Sequence, residues 1–174
     1  MKHIDRKLLT RVSALVMALM LLFSFTASFA AASFTSKGAG VKYNGTFKLN
    51  STTSEAALKK AFGKSYTREV DNGCTFGVAT YRYNFSSKGI MIETLQKKEK
   101  SKEKIITIEV TKKTVPTIAG LRVGDKTSKL AKLYGKKCKI NKSKTQVVYE
   151  TGDYVMRITA RKGIIKKIEI VWVL

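Results

Sequence analysis

The sequence predicts an α+β protein: two tandem helix-then-three-strand units whose strands form an antiparallel sheet with the helices packed on one face. Three observations lead there. The stretch Ala57-Leu-Lys-Lys-Ala-Phe-Gly-Lys64 returns as Lys129-Leu-Ala-Lys-Leu-Tyr-Gly-Lys136, with apolar residues at the same three positions, and similarity at a fixed spacing marks a unit written twice. Each copy stops at a glycine, Gly63 and Gly135, the residue best suited to end a helix. Each is then followed by segments in which apolar and polar residues alternate, the period of a half-buried strand. The expected organisation is a signal segment (1–30), a flexible lead (31–46), a first unit (47–113) and a second unit (114–174).

Taken in order, the chain opens with a basic region carrying Lys2, Arg6, Lys7 and Arg11. An uncharged apolar run follows from Val12, densest over 14–23, and Ser28-Phe-Ala30 places small residues at −3 and −1 of a cleavage site, with Ala30-Ala-Ala32 as a second. That is the layout of a secretory signal peptide. The alternative is an uncleaved anchor, since about 20 apolar residues span a bilayer. Residues 36–44 are polar and contain glycine, and read as loose. Thr52-Thr-Ser-Glu55 reads as a capping box with Thr52 as the cap. A helix then runs to about Phe62, with Leu58, Ala61 and Phe62 on one side and Lys59, Lys60 and Lys64 near its negative end. In the second copy Gly124-Asp-Lys-Thr-Ser128 opens the helix. Both stripes are narrow, so each helix needs another surface against it.

Strand character appears at 78–85, 90–95 and 105–112, and again at 145–151, 154–160 and 164–173. Ser86-Ser-Lys-Gly89, Gly152-Asp153 and Arg161-Lys-Gly163 suit hairpin turns, and 97–104 reads as a longer charged turn. Pro116, the only proline, sits in the link 112–120. Parity assigns Tyr81, Tyr83 and Phe85 to one face and Arg82 and Asn84 to the other. It likewise sets Ile106, Ile108 and Val110, with Ile168, Ile170 and Trp172, against Thr107, Glu109, Lys167 and Glu169. One face is thus apolar and covered while the other is polar and open, as antiparallel sheets allow.

Charge bounds the function. Of 34 Lys+Arg and 12 Asp+Glu, residues 1–30 hold four and one, so the remainder carries 30 against 11, a net +19. Such a field concentrates polyanions and weakens with salt. Export argues against nucleic acid and favours anionic wall polymers, lipid headgroups or acidic proteins. Lysine far outnumbers arginine, and lysine is a hydrated point charge and not a bidentate phosphate reader. Cys74 and Cys138 permit a single disulfide in an exported chain, which the chain-entropy model values at roughly 4 kcal/mol. Two free thiols are the alternative. His3 is the only histidine and lies in the signal segment, which leaves no Ser-His or Cys-His pair and no histidine-bearing metal set for the rest of the chain. No glycine-rich phosphate loop occurs. No cofactor, metal or catalytic residue is expected.

Val123-Gly-Asp-Lys-Thr-Ser-Lys-Leu-Ala-Lys-Leu-Tyr-Gly135 is similar to the glycine, hydroxyl residue, helix, aromatic or leucine, glycine signature of the β-lactamase inhibitory protein fold. The small outer-membrane assembly lipoproteins carry a related single unit. The resemblance spans most of 47–174, but the chain lacks a proline after the closing glycine, a lipoprotein cysteine, and the glycine before the first helix. It implies a binding scaffold with no particular target.

The functional expectation is an exported, strongly basic, non-enzymatic binding module. Its open sheet face (Arg82, Asn84, Thr107, Glu109, Arg157, Thr159, Lys167 and Glu169) would engage a protein or another envelope partner. Tyr43, Tyr66, Tyr81, Tyr83, Tyr149 and Tyr154 are further contacts if exposed, since tyrosine favours hot spots. The alternative is a cationic envelope-associated protein held by charge to wall polymers or membrane, with a cationic antimicrobial role a third reading.

Overall fold

In a computed structural model, residues 34–35, 38–72, 78–97, 102–141 and 145–173 are described; the expected signal segment and Cys74 lie outside them. In chain order the elements are β1 (Gly40–Lys42), β2 (Thr46–Lys48), β3 (Thr52–Thr53), α1 (Glu55–Phe62), β4 (Thr67–Asp71), β5 (Ala79–Phe85), β6 (Ile90–Gln96) and β7 (Glu103–Val110). They continue with α2 (Ser128–Tyr134), β8 (Lys139–Ile140), β9 (Gln146–Thr151), β10 (Tyr154–Arg161) and β11 (Ile164–Trp172). Nine strands form one antiparallel sheet in the order β4-β5-β6-β7-β11-β10-β9-β8, with β3 paired to one end of β7, while β1 and β2 form a separate hairpin.

This corrects the expected fold class. Of the described residues 49% are strand and 13% helical, so the protein is mostly β and not two tandem helix-then-three-strand units. The two similar stretches do each form a short helix, but the likeness stops there. α1 is capped by Ser54 and leads to a five-residue strand, whereas α2 has no side-chain cap and leads to a strand of two residues. An eight-residue helix is only ~12 Å long, and eight strands side by side are ~38 Å wide. Two such helices cannot cover that sheet.

The rest of the cover comes from irregular chain and from the β1–β2 hairpin, most of which falls in the stretch that the sequence predicts to be a flexible lead. Val41 is fully buried, and Phe34, Ala39, Phe47 and Leu49 are buried with it. Asn44 and Gly45 take positive φ (46° and 142°) in the three-residue loop joining β1 to β2. Such angles suit asparagine and glycine and few others. Phe62 of α1 packs on Phe47, on Tyr43 and on Phe85 of β5, with ring centroids 4.9, 5.6 and 5.3 Å apart. In the link, Val115 and Leu121 are fully buried. There the buried Thr117 hydroxyl accepts from the Leu121 N–H and lies 2.6 Å from the Tyr134 hydroxyl of α2. Lys42 N–H donates to the Pro116 carbonyl, tying the hairpin to the link.

Beneath this cover, two apolar rows cross six strands. One runs Phe85, Ile90, Val110, Ile168, Ile158, Val147, and the other Tyr83, Ile92, Ile108, Ile170, Met156, Tyr149. All twelve are buried, and each such side chain removed from water contributes about 1.5–3 kcal/mol. Two register shifts alter the simple alternation. The β6–β7 pairing skips Ile106, so Ile105 turns inward and is fully buried while Ile106 is half-buried. The β10–β11 pairing skips Lys166, which lets Ile165 face the core. A bulge adds one residue to one strand, so parity inverts across it. The helix start is also corrected: Thr52 and Thr53 are strand residues, and Ser54 is the cap, accepting from the Ala57 N–H at 3.2 Å.

Candidate functional site

The eight residues expected on the open face do share one face, opposite the core. Two rows run across it. The first reads Glu69, Arg82, Glu93, Thr107, Val171, Val155, Glu150, and the second Thr67, Asn84, Met91, Glu109, Glu169, Arg157, Val148, Lys139. Lys167 and Thr159 are paired just beyond the second row. Thr107 departs from the expectation of an open contact, being only 8% exposed.

Across the two rows, charge is locally cancelled. Arg82 bridges Glu93 at 2.6 Å and Glu69 at 3.2 Å, and its pKa is raised chiefly by the Glu93 hydrogen bond. At the sheet centre, where β7 meets β11, Glu109 and Glu169 stand directly opposite one another. Opposed like charges repel. Lys167 answers Glu109 at 3.2 Å and Arg157 answers Glu169 at 3.3 Å, while Lys139 pairs with Glu150 at 2.6 Å. Four bases therefore meet five acids in these pairs. Half-buried Val155 and Val171 are cross-strand partners among them, giving the face a small apolar centre within a charged frame.

Other exposed bases lie outside these pairs, some at Arg161 and Lys166 of the β10–β11 hairpin and others on helices and loops. Lys60, Lys64, Lys136 and Lys137 are exposed and have no ion-pair partner among the described residues. Lys59 differs: it binds Glu55 at 2.7 Å, and that bond, with one from the Tyr66 hydroxyl, lowers the Glu55 pKa. Near α2, burial works to raise the Asp125 pKa, but hydrogen bonds from Lys129 and the Arg122 N–H outweigh it and the net shift is downward.

The expected tyrosine contacts lie on the covered side. Tyr83 and Tyr149 are buried, and Tyr43, Tyr66, Tyr81 and Tyr154 pack against the core. The Tyr83 hydroxyl is held by the carboxylate of Glu103, in a segment expected to be a charged turn. The expected disulfide is corrected too, since Cys138 is a free, half-buried thiol. Cys138 lines an open groove of about 690 Å³ between α2 and the β8–β9 end of the sheet, with Leu130, Ala131, Ile140, Val147 and Tyr149. Sequence reading missed this groove. Its only local signal was Ile140, an apolar residue set among lysines, which is 58% exposed. Among the described residues no cluster of His, Cys, Asp or Glu is placed to hold a metal ion.

Comparison with known proteins adds little to this. No family model matches the chain, and no curated protein matches its sequence. The structure is similar to that of the uncharacterized protein yfeY from Escherichia coli, with a TM-score of 0.45 and 13% identity over 79% of this chain and 97% of that one.

Proposed function

We propose that the protein is an exported, basic, non-enzymatic binding module whose outer sheet face engages a protein partner. The observation that carries this reading is the composition of that face: an apolar Val155–Val171 centre framed by paired charges. Protein interfaces combine an apolar core with a polar rim. A face whose bases are matched by acids attracts a polyanion weakly, whereas complementary charge pairs select the register of a protein partner. The signal-like first thirty residues support export. Capture from the envelope and culture fluid tests the reading, comparing the native protein with Val155→Lys and Arg157→Glu. A specific partner should survive a salt wash and be lost with both variants. Capture that ignores both variants would refute the assignment to this face.

A second reading is retention by anionic wall polymer, favoured by Lys60, Lys64, Lys136 and Lys137, which are exposed and have no ion-pair partner among the described residues. It predicts that Lys60→Glu with Lys64→Glu releases the protein from the envelope at lower salt, while the sheet-face variants leave retention unchanged.

A further inference from the structure

The groove beneath α2 is independent of the sheet face, because Val147 and Tyr149 point to the covered side while Glu150 points to the outer one. Its walls are mainly apolar, with Leu130 and Ala131 from the helix, Val147 and Tyr149 from β9 and Ile140 from β8, while Thr127 and Ser128 add hydroxyl groups at the start of α2. Leu130, Val147 and Tyr149 form the floor and are buried, whereas Ala131 and Ile140 are exposed at the lip. Its volume of about 690 Å³ falls within the roughly 300–1,000 Å³ typical of small-molecule sites. Among the described residues, the one charged residue in the lining is basic. Lys136 lines the groove, the exposed Lys137 follows it, and neither has an acidic partner among the described residues. The Asn141 side chain, also in the lining, is already engaged, accepting from the Thr145 and Gln146 N–H groups. The site therefore offers a mainly apolar trough with a lysine in its lining and a second beside it in sequence.

We propose that this groove binds a single-chain amphiphile with an acidic head group, its hydrocarbon chain lying between α2 and β9 and its head group held by Lys136 and Lys137. An apolar trough recognises the alkyl chain without hydrogen bonds, and the ammonium groups reject a cationic head. No covalent step is involved. The half-buried Cys138 thiol lines the trough and would be shielded when the site is filled.

The test is direct binding of cis-parinaric acid, a fluorescent long-chain carboxylate, followed by displacement with decanoate, dodecanoate and tetradecanoate. Binding should saturate at one equivalent and tighten by about fourfold for each added methylene, the fold-change that transfer of one CH2 group from water corresponds to. Ala131→Trp fills the trough from an exposed helix position without changing net charge; its melting temperature should match the native protein's, and it should weaken binding at least tenfold. Lys136→Glu with Lys137→Glu should weaken carboxylate binding roughly tenfold, the scale of a charge-assisted contact, and should not weaken dodecyltrimethylammonium. In a Cys74→Ser background, dodecanoate should slow alkylation of Cys138. Three outcomes would overturn the proposal. The first is carboxylate binding that Ala131→Trp does not change, which would mark attraction to the general positive surface. The second is equal affinity for the cationic amphiphile. The third is a concentration-dependent dimer abolished by Ala131→Trp, which would show a second copy filling the groove.

Discussion

At the scale of single residues, the buried polar contacts decide more than the exposed ones. Tyr134 is 4% exposed, and its hydroxyl meets Thr117 inside the core. Burial pushes its pKa up to about 12, against the opposing effect of the Thr117 hydrogen bond. The unfolded chain deprotonates near pH 10 and the folded one near 12, so this contribution to stability is complete below pH 10 and fades between pH 10 and 12. Tyr134→Phe should cost about 1 kcal/mol from the lost hydrogen bond and flatten that part of the alkaline limb in melts taken across the window. Tyr83 and Tyr149 are also raised by burial, so some alkaline sensitivity should persist in the variant. On the outer face, Lys167→Met leaves Glu109 opposed to Glu169 with one counter-charge removed. Denaturant melts at pH 7 should show a loss of about 1 kcal/mol, the upper end for a surface pair, and the loss should shrink as salt screens the opposed carboxylates.

At the scale of elements, each short helix acts as a plug. Leu58 is fully buried and Leu130 is 3% exposed, whereas Lys60 is exposed. Leu58→Ala and Leu130→Ala should each cost about 2–5 kcal/mol, and Lys60→Ala less than about 0.5 kcal/mol, read from the same melts. A harmless Leu58→Ala would mean that α1 is not packed as described. The β1–β2 hairpin depends on one close approach. A Cβ added at Gly40 would sit 2.2 Å from the Phe47 carbonyl oxygen and 2.9 Å from the Lys48 Cα. Those are backbone atoms of the paired strand and cannot swing aside, so Gly40→Ala should destabilise by about 1–3 kcal/mol. Amide exchange should quicken first in 39–49, because the hairpin would part before the sheet does.

For the whole molecule, the feature that matters is the seam where β7 pairs with β11 over Val110 to Thr107. It joins strands distant in sequence into one sheet with two unbroken apolar rows beneath it. Unfolding should therefore be a single cooperative transition, with fluorescence of Trp172, the only tryptophan, coinciding with far-ultraviolet circular dichroism. Two transitions would mean that the halves on either side of the seam unfold separately. The same seam concentrates Glu109, Glu169, Arg157 and Lys167 at the middle of the outer face. The bases and acids cancel there, whereas the exposed Lys60, Lys64, Lys136 and Lys137 lie on helices and loops. The two proposed functions are thereby assigned to different surfaces, which is why one set of charge variants separates them.

Some of this was written locally in the chain. The alternation in 81–85 and 154–160 set which residues face the core, because side chains on a strand must alternate. It also set which charges share the outer face, from Arg82 to Glu169. The hairpin at 40–48 departs from the flexible lead the sequence predicts there: Asn44-Gly45 is a turn signal, but the flanking runs are three residues each and broken by polar residues. The sequence could not determine how much work the helices do, because two similar eight-residue stretches say nothing about the width of the sheet they must cover. Nor could it show that bulges at Ile106 and Lys166 invert the pattern, that Cys138 stays unbridged, or that Leu130, Ile140 and Val147 leave a groove. Each of these depends on which distant segments meet, and contact between distant segments is decided only when the whole chain packs.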